Sequence, residues 1–178
     1  MSECVVVAMS GGVDSSVAAA LLKAHGWEVI GITMCFNLRD SASGRPSCCG
    51  LSGIEDARRI AHKLNIRHYV LNMQRYLDEY VIKDFCLEYL KGRTPNPCIR
   101  CNQYIKFDVL LKKAVSLGAR FLATGHYSRI KESKSGYQLH KARDLHKDQS
   151  YFLYRLSQAQ LKHLLFPLGE YTKDRVRQ

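Results

Sequence analysis

CVVVAMSGGVDSS, residues 4–16, joins an unbroken apolar run to a turn of two glycines, three serines and an aspartate. Val5, Val6 and Val7 are β-branched and follow one another without a polar break, as expected of a buried strand. Gly11 and Gly12 open backbone conformations closed to residues with a Cβ and let the chain approach a ligand closely. The N–H groups that begin the following helix then point at whatever anion sits there. Ser10, Ser15 and Ser16 can add hydroxyl donors, and Asp14 can hold a cation or orient a phosphate. No Gly-Lys-Ser/Thr follows, which excludes a Walker-type loop with its lysine on the β- and γ-phosphates. The stretch reads as a phosphate cradle where a strand meets a helix.

Outward from that junction, strand and helix patterns alternate. Val13, Val17, Ala20, Leu21 and Ala24 recur at helical spacing over 13–25, and Gly26 stops the run. Residues 28–34 read as a second strand, so the first three elements form a right-handed parallel unit. Residues 37–51 read as a long irregular loop, and Ser52-Gly53-Ile54-Glu55 reads as a capping box opening another helix. A short strand at 68–71, a helix over 76–91 closed by Gly92, a proline-punctuated loop over 92–101, a helix over 104–117 and a strand at 121–124 follow. The remainder reads as a peripheral strand at 137–140 and a helix within 150–165. The alternation predicts an α/β fold of three layers, a parallel sheet with helices on both faces. In such sheets ligands collect beyond the carboxyl ends of the strands, which brings Gly125 and His126 toward the phosphate cradle.

A chain of 178 residues with 46% hydrophobic content can bury one substantial core, so residues 1–178 are read as a single domain. The formal net charge of +11 favours a polyanionic partner, and Lys106, Lys112, Arg129, Lys141, Arg143 and Lys147 crowd the second half. A solvated basic face is the competing explanation. No charged segment precedes a long apolar stretch, and no apolar run has the length of a membrane span, so a cytoplasmic protein without membrane contact is expected.

Seven cysteines in that compartment are read for catalysis or metal rather than for structural pairing. Cys98 and Cys101 stand at C-x-x-C spacing in GRTPNPCIRCN, residues 92–102, where Pro95 and Pro97 stiffen the approach. Arg93 and Arg100 are cationic neighbours of the kind that stabilise a thiolate. A redox dithiol, two ligands of a zinc or iron–sulfur site, and plain buried cysteines all fit that spacing. The vicinal pair Cys48-Cys49 completes a zinc set poorly, because adjacent cysteines rarely turn both sulfurs to one metal.

SGGVDSS resembles the PP-loop of ATP pyrophosphatases, which cleave ATP between the α- and β-phosphates and have an adenine nucleotide alpha hydrolase-like, Rossmann-like fold. Taken with Cys48-Cys49, the GRTPNPCIRCN loop and its following Lys106-Phe107, ATGHY at 123–127 and KDQSYFLY at 147–154, the chain resembles the tRNA-specific 2-thiouridylase family over essentially its whole length. The resemblance implies ATP-dependent thiolation of C2 of a wobble uridine in tRNA, with Mg2+ accompanying the ATP. It places Ala8, Met9, Ser10, Gly11, Gly12, Val13, Asp14 and Ser15 on ATP, Met34 against the adenine and Gly125 beside the nucleotide. It further implies Asn96, Pro97 and Cys98 at the target base, Cys101 as the nucleophilic cysteine, and Lys147, Asp148 and Gln149 against tRNA. Asp14, Cys98 and Cys101 are the expected catalytic set. His126 has two readings, orienting a phosphate or serving as a satisfied core histidine.

Two departures from the family pattern shape the expectations. Cys98 stands where better-known members have an aspartate, and the family's second catalytic cysteine would lie beyond Gln178. The chain is therefore expected to be shorter than the family, whose members continue into further catalytic residues, a small central domain and a β-barrel. Cys98, Cys101 and that third cysteine would suffice for a [4Fe-4S] cluster with one open iron. The rival is a persulfide mechanism in which Cys98 only replaces the aspartate. The sulfur donor would be a cysteine desulfurase, a relay protein or hydrosulfide. A PP-loop ligase or amidotransferase acting on a small molecule, and a non-catalytic ATP- and tRNA-binding module, are the other functions the sequence admits.

Overall fold

The computed structural model describes residues 3–36 and 51–178. In chain order its strands are β1 (Cys4–Ala8), β2 (Glu28–Cys35), β3 (Arg67–Asn72), β4 (Phe121–Thr124), β5 (Ser128–Ser133), β6 (Gly136–Lys141) and β7 (Leu164–Leu165). Five of them form a parallel sheet in the order β3-β2-β1-β4-β7, and β5 and β6 pair separately as an antiparallel hairpin. The central strand carries the deciding run: Val5, Val6 and Val7 are fully buried. Side chains alternate across a strand. Val5, Val7 and Met9 accordingly meet Ala19, Leu22 and Ala57 on one face, while Val6, Ile30, Ile32 and Met34 meet Ile105, Phe107 and Leu110 on the other.

The first face is covered by α1 (Val13–Ala24) and α2 (Leu51–Lys63). The second is covered by a helical hairpin. Its first arm is α3 (Gln74–Leu77), a π-helical turn (Asp78–Ile82) and α4 (Lys83–Leu90), and its second is α5 (Pro97–Arg100), a π-helical segment (Cys101–Val109) and α6 (Leu110–Ser116). Ile105, Phe107 and Leu110 are fully buried beneath the sheet, each contributing about 1.5–3 kcal/mol by burial, so this arm is fixed to the core through its middle. A short 3-10 turn (Ser150–Leu153), α7 (Gln158–Leu161) and α8 (Lys173–Arg177) complete the chain. Among the described residues no helix is long and apolar enough to cross a membrane.

The three-layer parallel fold is as the alternation predicts, and four local readings need correction. The predicted loop over 92–101 ends at Asn96. Its side-chain oxygen accepts from the backbone N–H groups of Cys98 (3.1 Å) and Ile99 (3.4 Å), with Pro97 in the first helical position, so both cysteines ride on a helix. The predicted capping box fails because α2 already begins at Leu51, leaving Ser52 inside the helix. The predicted helix within 150–165 breaks into the 3-10 turn, α7 and β7, which adds a fifth strand beside β4. Finally, 137–140 is one half of a hairpin whose other strand, β5, alternates too weakly in sequence to be read. Residues 37–50, with the expected loop and the pair Cys48-Cys49, lie outside the described residues.

Candidate nucleotide and thiol site

β2 leaves β1 on one side and β4 flanks it on the other, so the connections diverge from the carboxyl ends of β1 and β4, where Ala8 pairs with Thr124. A crevice at such a divergence is where α/β sheets bind ligands. Residues 9–14 and 125–127 meet there.

The loop is braced by its own hydroxyls. Ser15 Oγ donates to the Gly12 carbonyl (3.1 Å) and accepts from the Ser10 N–H (3.1 Å), and Ser16 Oγ also donates to Gly12 O (3.0 Å). Ser15 is buried and thus shapes the turn, while the exposed Ser10 lines its mouth. Gly12 is the N-cap of α1 and contributes no side-chain cap, which leaves the first amides of that helix to a ligand. Two glycines are dictated by space. Gly11 has a φ of +81°, and a Cβ there would stand 2.3 Å from the Gly53 carbonyl oxygen in the first turn of α2. At Gly125 a Cβ would stand 2.8 Å from both Asp14 C and Ser15 N, so the β4 connection lies directly on the first turn of α1. The result is a cradle of bare backbone. Val13 is exposed, Ala8 and Asp14 are half-buried, and Met9 and Met34 are buried beneath the mouth.

Asp14 is not a lone carboxylate. Its Oδ1 accepts from the Tyr127 hydroxyl (2.8 Å) and from Lys173 Nζ (2.6 Å), and the Lys173 ammonium lies 5.8 Å from the centre of the Tyr127 ring. Burial and the hydrogen bond to Asp14 push the Tyr127 hydroxyl up, keeping it a neutral donor. Neither residue is visible as a site residue from local sequence: Lys173 lies 159 positions from Asp14. The only signal for it was a deficit, since the loop carries no cation of its own.

His126 follows Gly125 but turns inward. Its ring packs against Phe107 (centroids 5.7 Å apart) and Phe166 (6.0 Å), and Nδ1 meets the Thr124 hydroxyl at 2.7 Å. Burial, with the nearby Lys106 ammonium, pushes the imidazole down to about 3. It is a neutral aromatic spacer between the sheet and the cysteine-bearing arm.

Phe107 is level with His126, two residues past the end of β4, and the arm runs from Pro97 toward the amino edge of the sheet. Cys101 and Cys98 precede Phe107 on this arm and so lie farther toward the carboxyl edge than Phe107 does. The thiols overhang the same edge on which the phosphate loop opens, on the face that Met34 also occupies. Cys98 is exposed and Cys101 half-buried. The two arms are clamped at this level by Arg100, which donates to both oxygens of Asp84 (2.9 and 2.7 Å), and by stacking of Tyr80 on Tyr104 (5.3 Å). Arg93 donates to both oxygens of Glu88. The two arginines expected to activate the thiols are thus each neutralised by a carboxylate of the first arm, Arg100 from the second arm and Arg93 from the connection between them.

Of the segment 147–149, Lys147 is exposed, whereas the side chains of Asp148 and Gln149 are engaged internally. Asp148 accepts from the Ala142 N–H (2.8 Å) and the Ser150 hydroxyl (2.7 Å), and Gln149 accepts from the Tyr127 N–H (2.9 Å). Among the described residues no three His, Cys, Asp or Glu side chains gather as a metal-binding group. A cleft of about 680 Å3 lined by Trp27, Phe121 and Tyr137 opens near the amino ends of β2 and β4, away from this site.

A family model described as tRNA methyl transferase HUP domain matches residues 3–178. The chain is 54% identical, along its whole length, to the tRNA-specific 2-thiouridylase MnmA of Clostridium acetobutylicum, covering 51% of that protein. It is also 54% identical to the protein of that name from Heliobacterium modesticaldum, covering 47% of it. The chain spans about half the length of the curated relatives it matches. A predicted subunit of tRNA methyltransferase from Methanocaldococcus jannaschii shares the fold, with a TM-score of 0.57 at 19% identity over 98% of this chain and 72% of that one. With the phosphate loop, the crevice beside it and the cysteine-bearing arm all falling within the matched span, the chain belongs to the tRNA methyl transferase HUP domain family.

Proposed function

We propose that this chain is the ATP-using catalytic part of a tRNA uridine 2-sulfurtransferase. The observation that carries the proposal is the joint opening, on one sheet edge, of a bare-backbone phosphate cradle and an exposed cysteine on the overhanging helix. The 2-thiouridylases named above support the choice of substrate and of sulfur chemistry.

The cradle fits a nucleoside triphosphate because α1 offers its first amides without a side-chain cap and the exposed Ser10 hydroxyl lines the mouth, while close backbone packing at Gly11 and Gly125 fixes the turn. ATP with Mg2+ supplies an activated α-phosphorus. The uridine O2 attacks it, the bond to the β-phosphate oxygen breaks, and pyrophosphate leaves the base adenylated at C2–O. Hydrosulfide then attacks C2, the C2–O bond breaks and AMP departs with the original oxygen. Where the sulfur arrives as a persulfide, its outer sulfur attacks C2, AMP departs, and the Cys101 thiolate attacks the inner sulfur, releasing the thiolated base as Cys101 forms a disulfide with the cysteine that carried the persulfide. In this scheme Ser10 and the amides of α1 hold the departing phosphates, Asp14 orients the metal–phosphate group, and Lys173 supplies the cation that the loop lacks. Asn96, Pro97 and Cys98 border the base, and Cys101 is the nucleophilic cysteine. The sulfur donor, whether a desulfurase, a relay protein or hydrosulfide, brings the sulfur that this chain does not contain.

An open-iron [4Fe-4S] cluster needs three thiolates, and among the described residues the cysteine-bearing arm brings two, Cys98 and Cys101, with no third metal-binding side chain gathered beside them.

Calorimetric titration tests the cradle. The wild-type chain should bind ATP more tightly than AMP, and Asp14→Asn and Ser10→Ala should reduce ATP affinity while leaving tRNA binding intact. Equal ATP affinity in all three proteins would remove the phosphates from this loop.

A further inference from the structure

The segment that the resemblance assigns to tRNA presents Lys147 but not the other two residues expected of it. Asp148 and Gln149 spend their side-chain oxygens on Ala142, Ser150 and Tyr127. What the following 3-10 turn does present is a pair of tyrosines. Tyr151 is 63% exposed and Tyr154 61%, and their ring centroids lie 6.1 Å apart with planes inclined by 32°. Large aromatic faces of this kind are ordinarily covered in a folded protein. These rings are instead held outward on a rigid base: Leu153 between them is buried, Tyr151 rests edge-on against Phe152, and the Phe152 carbonyl accepts from Asn102 Nδ2 at 3.1 Å. Asn102 adjoins Cys101, and the turn lies against Pro97–Arg100, so the platform is fixed to the cysteine-bearing helix itself.

The surroundings select the occupant. His146, Lys147 and Arg155, all exposed, flank the pair, and the nearest carboxylate in sequence, Asp148, is taken up internally. An aromatic platform within basic flanks matches single-stranded nucleic acid, whose bases stack and whose phosphates are drawn to the cations.

We propose that Tyr151 and Tyr154 form a stacking platform for unpaired RNA bases beside the one presented to Cys98. This rests on the RNA reading above and deepens it: the platform holds neighbours of the target base by their π-faces, while Lys147 holds the backbone.

The test is fluorescence anisotropy with a short fluorescein-labelled oligouridylate and an abasic oligomer of equal length. The wild-type chain should prefer the oligomer that carries bases. Tyr151→Ala and Tyr154→Ala should each weaken oligouridylate binding about ten-fold, leave abasic binding unchanged, and leave the salt dependence as in wild type. Tyr151→Phe and Tyr154→Phe should restore binding, since the ring and not the hydroxyl is used. Lys147→Ala should show the opposite signature, weakening both oligomers and lowering the salt slope by about one. Thermal unfolding identifies any variant that has lost its fold. Alanine variants that bind oligouridylate as tightly as wild type, that lose both oligomers equally, or that phenylalanine fails to rescue would overturn the platform. A wild-type chain that binds neither oligomer nor tRNA would overturn the RNA reading itself.

Discussion

At the scale of single residues, the site is defined as much by missing atoms as by functional groups. Gly125 is the sharpest case, because the atoms its Cβ would meet belong to the backbone at Asp14 and Ser15 and cannot swing aside. Gly125→Ala should therefore cost about 1–3 kcal/mol of stability and lower ATP affinity, both visible in melting curves with and without ATP. Lys173 acts in the opposite sense, as a charge placed on Asp14 from the far end of the chain. Lys173→Met should weaken ATP binding at least ten-fold while changing AMP binding little, since in the proposed scheme its ammonium also faces the β- and γ-phosphates; equal losses for both nucleotides would make it a structural ion pair only. His126 gives a pH prediction. Its folded value, pushed down to about 3 by burial, lies below the ordinary value of 6.5, so the unfolded chain binds the extra proton first. Stability is then complete above about pH 6.5 and falls, by at most about 1.4 kcal/mol per pH unit for this group, as pH drops toward 3. His68, lowered by burial and by Arg58, works in the same direction. In His126→Phe the melting temperature should fall less steeply between pH 6.5 and 4.5, and an unchanged slope would deny His126 its buried neutral state.

Among the elements, the cysteine-bearing arm shows what the sequence discloses and what it hides. The periodicity of Ile105, Phe107, Leu110, Leu111 and Ala114 reveals a helix, and the loop signal of Pro95 and Pro97 obscures where it starts. Asn before Pro was the legible clue, because asparagine caps and proline favours the first helical position. Asn96→Ala should lower stability by about 1 kcal/mol in ligand-free melts, and Asn96→Asp should largely preserve it. The π-helical geometry of Cys101–Val109 was beyond sequence reading, since it reflects how Ile105, Phe107 and the Tyr80–Tyr104 stack settle against a partner helix. The fates of Arg93 and Arg100 were equally hidden. Their carboxylate partners, Glu88 and Asp84, both lie on the first arm, and sequence proximity to Cys98 exaggerated the arginines' role in thiol chemistry.

Across the whole molecule, the fold was legible because its central strand is an uninterrupted β-branched run and because each strand that follows is separated from the next by a helix. The exceptions were the two-residue β7, too short to carry a pattern, and the β5–β6 hairpin, half of which alternates weakly. The cradle itself was legible down to its glycines; the convergence of Tyr127 and Lys173 on Asp14 depends on tertiary closure and was not. In the proposed function, the crevice between β1 and β4 passes an adenylyl group from ATP to RNA. Incubation of the chain with α-labelled ATP, Mg2+ and hydrosulfide, with and without unmodified tRNA, followed by separation of AMP from ADP, measures this directly. The account predicts labelled AMP with pyrophosphate only when tRNA is present; ADP as the product, AMP formed regardless of tRNA, or no AMP above the RNA-free control would contradict it.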